Sequence, residues 1–157
     1  MIEKEDLVKA LHAPLKAAGF KKRNLSWYLN GRDTFVVVNL QRSDWSKYYY
    51  INIGIWLKVL GDEAFPKHYK CPMNWRVEEL FPKERELIIT CCDLEKSNFD
   101  LLNKLSAFFK ESLIPFLLEC VDEEKIKNHL LNGTIINKEI LHSIEAQRYL
   151  FSTNEFE

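Results

Sequence analysis

The chain has 157 residues, of which 46% are hydrophobic and 29% charged, and its formal net charge is -1. These values are typical of one folded domain and exclude an intrinsically disordered chain. With charges this evenly balanced, the chain has no overall field that would attract nucleic acid or an anionic membrane.

The N-terminal segment, MIEKED, is charged where a secretory signal has an apolar run. No stretch approaches the roughly 18 consecutive apolar residues of a membrane span. The cysteines form no CxxC pair, and His68-x-x-Cys71 offers two metal ligands without a second pair at tetrahedral spacing. We therefore expect a cytoplasmic protein with reduced thiols, no membrane segment and no metal or other cofactor.

The first predicted element is a helix over residues 1–19. Leu7, Leu11 and Leu15 recur at helical spacing and form one apolar stripe. Pro14 is expected to kink this helix, and Gly19 stands where a C-terminal cap belongs. The basic run at residues 21–23 that follows is interpreted as solvated surface.

A sheet of about four strands in a meander is predicted over residues 24–92. Asn30-Gly31 lies between two alternating runs and predicts a tight hairpin turn, because Asn-Gly readily adopts positive φ angles. A longer strand follows a turn at residues 42–44, and RELIITCC, from Arg85 to Cys92, predicts the fourth strand. Period-two alternation assigns to the core face Leu25, Trp27, Leu29, Thr34, Val36, Val38, Leu40, Tyr49, Ile51, Ile53, Ile55 and Leu57.

A loop over residues 60–84 is inserted before that fourth strand. Pro66, Pro72 and Pro82 exclude a long regular element there, although the stretch from Asn74 to Phe81 has the pattern of a short helix with an asparagine cap. Long connections in compact domains are often lids or binding loops, so this loop is the second place to look for a site.

The last third, residues 97–152, has helical periodicity. The pattern predicts a helix start at Ser97-Asn98-Phe99-Asp100, a bend at Pro115, a second helix from Asp122 to Gly133 and a third helix from about Asn137. Strands grouped before helices indicate an α+β fold. We predict one domain over residues 1–157, with an N-terminal helix, an antiparallel sheet and a helical C-terminal third packed on the sheet.

The other face of this sheet, here called the amide face, is the candidate site. Alternation assigns to it Tyr28, Phe35, Val37, Asn39, Gln41, Tyr48, Tyr50, Asn52, Gly54 and Trp56. Amides and aromatic rings replace the charges of an ordinary solvated face, and a buried amide without a partner costs about 1–3 kcal/mol. Such a lining suits recognition of a polar ligand or a peptide. The alternative is that the C-terminal helices cover this face and its amides bond to loop backbone.

The sequence offers weaker support for two other functions. An aromatic sheet is also typical of single-stranded nucleic-acid binding, but the chain lacks a basic groove, so we expect no nucleic-acid partner. No GxSxG elbow, phosphate loop, HExxH or dinucleotide fingerprint is present. The enzyme alternative places a pocket between the amide face and residues 66–82, where Arg76 would bind an anion and Glu78 or His68 would move protons.

Two segments carry a family resemblance: GFKKRNLSWYLNG, from Gly19 to Gly31, and VVNLQRSDWSKYYYINIGIWL, from Val37 to Leu57. Together they resemble the bacterial family catalogued as domain of unknown function 4304. The resemblance runs from the first helix to about residue 118. It implies a Gly-Phe-Lys-Lys element after that helix, at residues 19–22, and two segments on paired strands, at residues 39–43 and 50–54. It brings no assigned reaction, cofactor or catalytic residue. Similar small bacterial domains are often immunity or partner-binding proteins, which is an analogy.

We therefore predict a binding module for a protein partner or a small polar ligand. The predicted ligand- or partner-binding residues are Asn39, Gln41, Arg42, Tyr50, Asn52, Trp56 and Arg76. In this hypothesis the amides donate and accept hydrogen bonds, Tyr50 and Trp56 act as anchors, and Arg42 lies at the rim. No catalytic residue is assigned, and the sequence leaves the ligand and the oligomeric state open.

Overall fold

The computed structural model describes residues 2–133 together with Tyr149 and Leu150. Its elements confirm the α+β class. They are α1 (Lys4–Ala17), β1 (Lys21–Arg23), β2 (Ser26–Asn30), β3 (Thr34–Arg42), β4 (Tyr49–Leu57), β5 (Met73–Arg76), α2 (Val77–Leu80), α3 (Arg85–Cys92), α4 (Phe99–Phe108), α5 (Ile114–Glu119) and α6 (Glu123–Asn132). The helix predicted from about Asn137 lies outside the described residues.

Helix α1 ends as its sequence predicts. Gly19 has a φ of 99°, and the Phe20 N–H donates to the Leu15 carbonyl at 3.0 Å, which is a Schellman cap. Pro14 lies inside the helix and has no N–H to donate to the carbonyl four residues earlier. The Ser106 hydroxyl of α4 donates to that carbonyl, on Ala10, at 2.6 Å, so a neighbouring helix supplies the missing bond.

The sheet is an antiparallel meander of five strands in the order β1-β2-β3-β4-β5. The predicted Asn30-Gly31 turn is wrong by two residues: Asn30 pairs with Phe35 and the Gly31 N–H donates to the Thr34 carbonyl, which leaves Arg32-Asp33 as the turn. A shift of two residues keeps every side chain on its predicted face, because side chains alternate with a period of two.

The glycine at position 31 serves a close contact instead of the turn. A Cβ atom on Gly31 would clash with the side chain of Val121, next to the start of α6. Any larger residue would therefore push the hairpin end away from α6.

The predicted fourth strand is wrong, because residues Arg85–Cys92 form helix α3. The edge of β4 is already occupied by β5, which comes from the proline-containing loop 60–84 and pairs Ile53 with Trp75. The short helix expected after Asn74 is confirmed in part, since α2 begins later, at Val77. The basic run at residues 21–23 is exposed, as the sequence predicts, and it forms the edge strand β1.

The core lies between one face of the sheet and the helices. Its fully buried side chains include the predicted isoleucines and valines of β3 and β4, the leucine stripe of α1, and residues from α3 to α6. The Trp27 ring N–H donates to Nδ1 of His12 at 3.1 Å and fixes α1 on the sheet. Burying side chains of this kind stabilises a fold by about 1.5–3 kcal/mol each before entropy is counted.

The helical part continues without a break from residue 99 to residue 119. Asn98 accepts the Leu101 N–H at 2.8 Å and caps the start. A π-helical turn, Phe109–Leu113, separates α4 from α5 and ends two residues before Pro115. The wider turn accommodates a proline that cannot donate to the carbonyl four residues earlier. No helix among the described residues is both long and apolar enough to cross a membrane.

Residues 61–72, here called the covering segment, lie on the amide face. The alternative that the C-terminal helices cover this face is wrong for the ones that the structure describes, α4, α5 and α6, because they pack on the core face. The segment instead forms a small second cluster in which Cys71 packs with Tyr28, Val37 and Trp56. It covers the half of the amide face that contains Gly54.

Candidate functional site

One polar side chain from each of the five strands stands in a line across the amide face. The strand register pairs Arg23 with Ser26, Ser26 with Asn39, Asn39 with Asn52, and Asn52 with Arg76. Antiparallel strands lie about 4.8 Å apart, so this polar row is about 19 Å long. It has an arginine at each end and amides at its centre.

The amides of the polar row bond to one another. Nδ2 of Asn52 donates to Oδ1 of Asn39 at 3.1 Å and to Oε1 of Gln41 at 3.0 Å, and Nδ2 of Asn39 donates to Oγ of Ser26 at 2.9 Å. Asn52 is 5% exposed, so its amide needs these partners. The network fixes the orientation of each amide before any ligand arrives.

Each end arginine stacks on an aromatic ring. Cζ of Arg76 lies 3.6 Å from the centre of the Tyr50 ring, and Cζ of Arg23 lies 4.1 Å from the centre of the Phe65 ring. Such cation–π contacts hold the guanidinium groups in place and leave their N–H groups free to bind. Neither arginine forms an ion pair with another described residue.

The covering segment is held closely on the sheet at Gly54. A Cβ atom built on Gly54 would lie 2.9 Å from Sγ of Cys71 and 3.0 Å from Cα of His68. Trp56 donates its ring N–H to the Gly61 carbonyl at 3.1 Å. The structure thus places the predicted anchor Trp56 under the covering segment, where it holds this segment.

A depression of about 510 Å³ lies between the polar row and the margin of the covering segment. Its polar lining comes from Ser26, Asn39 and Gln41 on the sheet and from residues 67–69 of the covering segment. Sequence reasoning missed Ser26, because its face was not assigned. It also missed Lys67 and Tyr69, because side-chain periodicity does not predict the path of a proline-rich loop. The sequence points to His68 only in the enzyme alternative and in the incomplete metal pair His68-x-x-Cys71.

Arg42 lies apart from the other predicted site residues. It pairs with Tyr49, whose ring is in the core, so alternation directs it away from the amide face. Arg42 instead lines a second depression, of about 550 Å³, at the tip of the β3–β4 hairpin together with Trp45. Trp45 is 95% exposed there.

Two ionisable groups near Arg76 have shifted pKa values. Burial, and then the positive charge of Arg76, lower the pKa of His68, so its imidazole is neutral at pH 7. Burial raises the pKa of Tyr48 strongly, and Cys92 and Glu78 add to the shift. Glu78 is itself buried, and its Oε1 has no hydrogen-bond partner among the described residues.

The cysteines do not form a reactive site. All four are buried and unpaired, and burial raises the pKa of Cys91 to about 11 and that of Cys71 to about 12. In the part of the chain that the structure describes, no three His, Cys, Asp or Glu side chains converge in a way that could hold a metal ion.

A comparison with protein families matches residues 11–119 to the family described as Domain of unknown function (DUF4304). The chain belongs to this family. The matched residues include the second half of α1, the whole sheet with its polar row, the covering segment and the helices through α5. No curated protein and no solved structure matches the chain. Membership in DUF4304 therefore identifies the fold unit and leaves its function to be argued from the site.

Proposed function

We propose that this DUF4304 protein is a cytoplasmic binding module that recognises a protein partner or a small polar ligand at the polar row. The observation that carries the proposal is the hydrogen-bonded chain of Asn52, Asn39, Gln41 and Ser26 between two arginines. Polar groups that are already oriented lose little conformational freedom when a ligand binds, so more of their interaction energy contributes to affinity.

The size and exposure of the row support both classes of ligand. A row of about 19 Å is long enough for an extended segment of a partner protein, and the depression of about 510 Å³ has the volume of a small-molecule site. Tyr50 and Arg76 are residue types enriched at protein interfaces. An immunity-like role would be one form of partner binding.

Affinity capture from the native host tests the proposal. The double variant Arg76→Ala, Gln41→Ala changes two exposed residues of the amide face and should lose the partner or ligand that the wild-type chain captures. Arg42→Ala is the matched control, because it removes an arginine at the same end of the sheet from the opposite face. Undiminished capture by the double variant, with circular dichroism unchanged, would refute the proposal.

The enzyme alternative keeps one supporting observation. Glu78 is a buried carboxylate with an unpartnered oxygen, and His68 and Arg76 lie close enough to interact electrostatically. Buried ionisable groups of this kind occur at catalytic sites. Under this alternative, Glu78→Gln stops the conversion of a captured small molecule while its binding is retained, which proton NMR of the mixture over time would measure.

A further inference from the structure

The hydrogen bonds of the polar row have a direction. Asn52 donates to the carbonyl oxygens of Asn39 and Gln41, so the acceptor ends of both amides are occupied inside the network. The Ser26 hydroxyl accepts from Asn39, so its own proton must be donated elsewhere. No described residue accepts from the Gln41 amino group or from the Ser26 hydroxyl. The network therefore presents donors to the depression.

The residues that line the depression include one cation and no carboxylate. Lys67 and the neutral His68 line it, and Arg76 stacks on Tyr50 beside Asn52. Glu79 is the acidic residue that bonds to Arg76. Its Oε1 accepts the Arg76 backbone N–H at 2.8 Å, and this bond leaves the guanidinium free. Cations at the rim and outward donors on the floor are complementary to a ligand that is anionic and rich in acceptors.

We infer that the depression binds an anionic oxygen group, a carboxylate or a phosphate, of the ligand. This inference rests on the proposed function and specifies its ligand. In the complex, the Gln41 amino group and the Ser26 hydroxyl donate to the anion, while Lys67 and Arg76 supply the compensating charge. Asn39 and Asn52 do not need to touch the ligand, because they orient the two groups that do.

An NMR titration with small probes tests this inference on the full chain. The probes are inorganic phosphate, N-acetylglycine, and its neutral counterpart N-acetylglycinamide, each at millimolar concentration. We expect the anions to shift the side-chain amide signals of Gln41 and Asn39 in a saturable way. The neutral amide should bind at least about tenfold more weakly, because it cannot form charge-assisted hydrogen bonds. The stronger of the two anions identifies the class of the natural group.

The variant Gln41→Glu removes the outward-facing donor of residue 41 and keeps its hydrogen bond inside the network. Glutamate still accepts from Asn52 at Oε1, but it replaces the outward amino group with a negative oxygen. We expect this variant to keep its fold and to lose anion binding by at least about tenfold. Asn103→Asp is the matched control, because it makes the same chemical change at an exposed site on α4, on the other side of the sheet.

Three results would overturn the inference. N-acetylglycinamide could shift the same signals as strongly as the anions, Gln41→Glu could bind anions as the wild type does, or none of the probes could move the amide signals. In each case the capture experiment still decides the proposed function separately, because it does not depend on the charge of the ligand.

Discussion

At the scale of single residues, Gly54 controls the shape of the site. Alanine in a strand is normally preferred over glycine, but a Cβ atom here would lie 3.0 Å from Cα and 3.2 Å from the carbonyl oxygen of His68, which are backbone atoms. We expect Gly54→Ala to lower the free energy of unfolding by about 1–3 kcal/mol. The covering segment should also lift from the sheet and become more sensitive to trypsin at Lys67 and Lys70. Urea denaturation and limited proteolysis measure the two effects.

The control for this variant is Ile53→Val, which lies one residue away on the core face. It removes one buried methylene and costs about 0.5–1.5 kcal/mol. We expect it to lower stability without increased cleavage at residues 61–72. If Gly54→Ala were as stable and as resistant to trypsin as the wild type, the close contact between the sheet and the covering segment would be wrong.

Asp33 gives the fold a pH-dependent contact at the hairpin end. Its side chain bonds to Arg32, and its Oδ2 accepts the Glu123 N–H at 3.0 Å. The Arg32 bond first, and then the Glu123 bond, lower the pKa of Asp33 below its ordinary value of 3.8. A lowered pKa means that this contribution to stability is complete above the ordinary value and is lost as the pH falls through the folded value.

We therefore expect Asp33→Asn to lower the melting temperature by no more than a few degrees at pH 7, because Arg32 is exposed to solvent. The difference from the wild type should shrink as the pH falls below about 4. Melting curves at several pH values measure this, with Asp44→Asn as the control at an exposed carboxylate. A difference that stayed constant down to pH 2 would contradict the assigned contact.

At the scale of elements, α3 offers a test in which one substitution has opposite effects at two sites. Thr90 is on α3 and makes no side-chain hydrogen bond with the described residues, so Thr90→Ala should stabilise the protein by up to about 0.7 kcal/mol through helix propensity. Thr34 is buried in β3 and donates to the Cys120 carbonyl at 2.7 Å. Thr34→Ala should cost about 1–3 kcal/mol, because it leaves that carbonyl unsatisfied. Urea denaturation compares both; a loss of stability in Thr90→Ala would favour the strand that the sequence suggested.

The fold could be predicted where the pattern is long. β3 and β4 have nine residues each, and their alternation assigned Asn39, Gln41 and Asn52 to one face. α3 was misread because eight residues rich in Ile, Thr and Cys fit a buried strand as well as a helix. The deciding fact was tertiary, since four residues of β5 already occupied the sheet edge.

The site could be predicted only in part for the same reason. Alternation places side chains on a face, so the sequence alone assigns the amides to one face of the sheet. It does not give the register of the short strands β1 and β2, which brings Arg23 and Ser26 into the polar row. It also does not give the path of residues 61–72, which positions His68 and leaves half of the amide face uncovered.

At the scale of the whole molecule, the two faces of the sheet are covered to different extents. The core face is sealed by helices and contains the large hydrophobic cluster, whereas the amide face is covered by a short segment through the small cluster around Cys71. Elements with few buried contacts open at lower free energy than the core does. We therefore expect the covering segment to open without unfolding the domain, while the core face supplies the rigidity that keeps the polar row in line.

Helix α6 decides how far along the chain the cooperatively folding unit extends. The family match ends at residue 119, yet α6 follows at Glu123–Asn132 and buries Ile126 completely. The backbone N–H of Asp33 donates to the Val121 carbonyl at 3.0 Å, so the hairpin end and the start of α6 are joined. These contacts indicate that α6 belongs to the same core as the matched region.

We therefore expect Ile126→Ala to lower the free energy of unfolding of the whole domain by about 2–5 kcal/mol, in one transition. Lys125→Ala, at the exposed neighbouring position, should have little effect. Denaturation followed by both circular dichroism and tryptophan fluorescence makes the test, because Trp27 and Trp75 report on the sheet core. If helix signal were lost at a lower urea concentration than the fluorescence change, α6 would be an appendage that unfolds alone, and the stability of the DUF4304 unit would not depend on it.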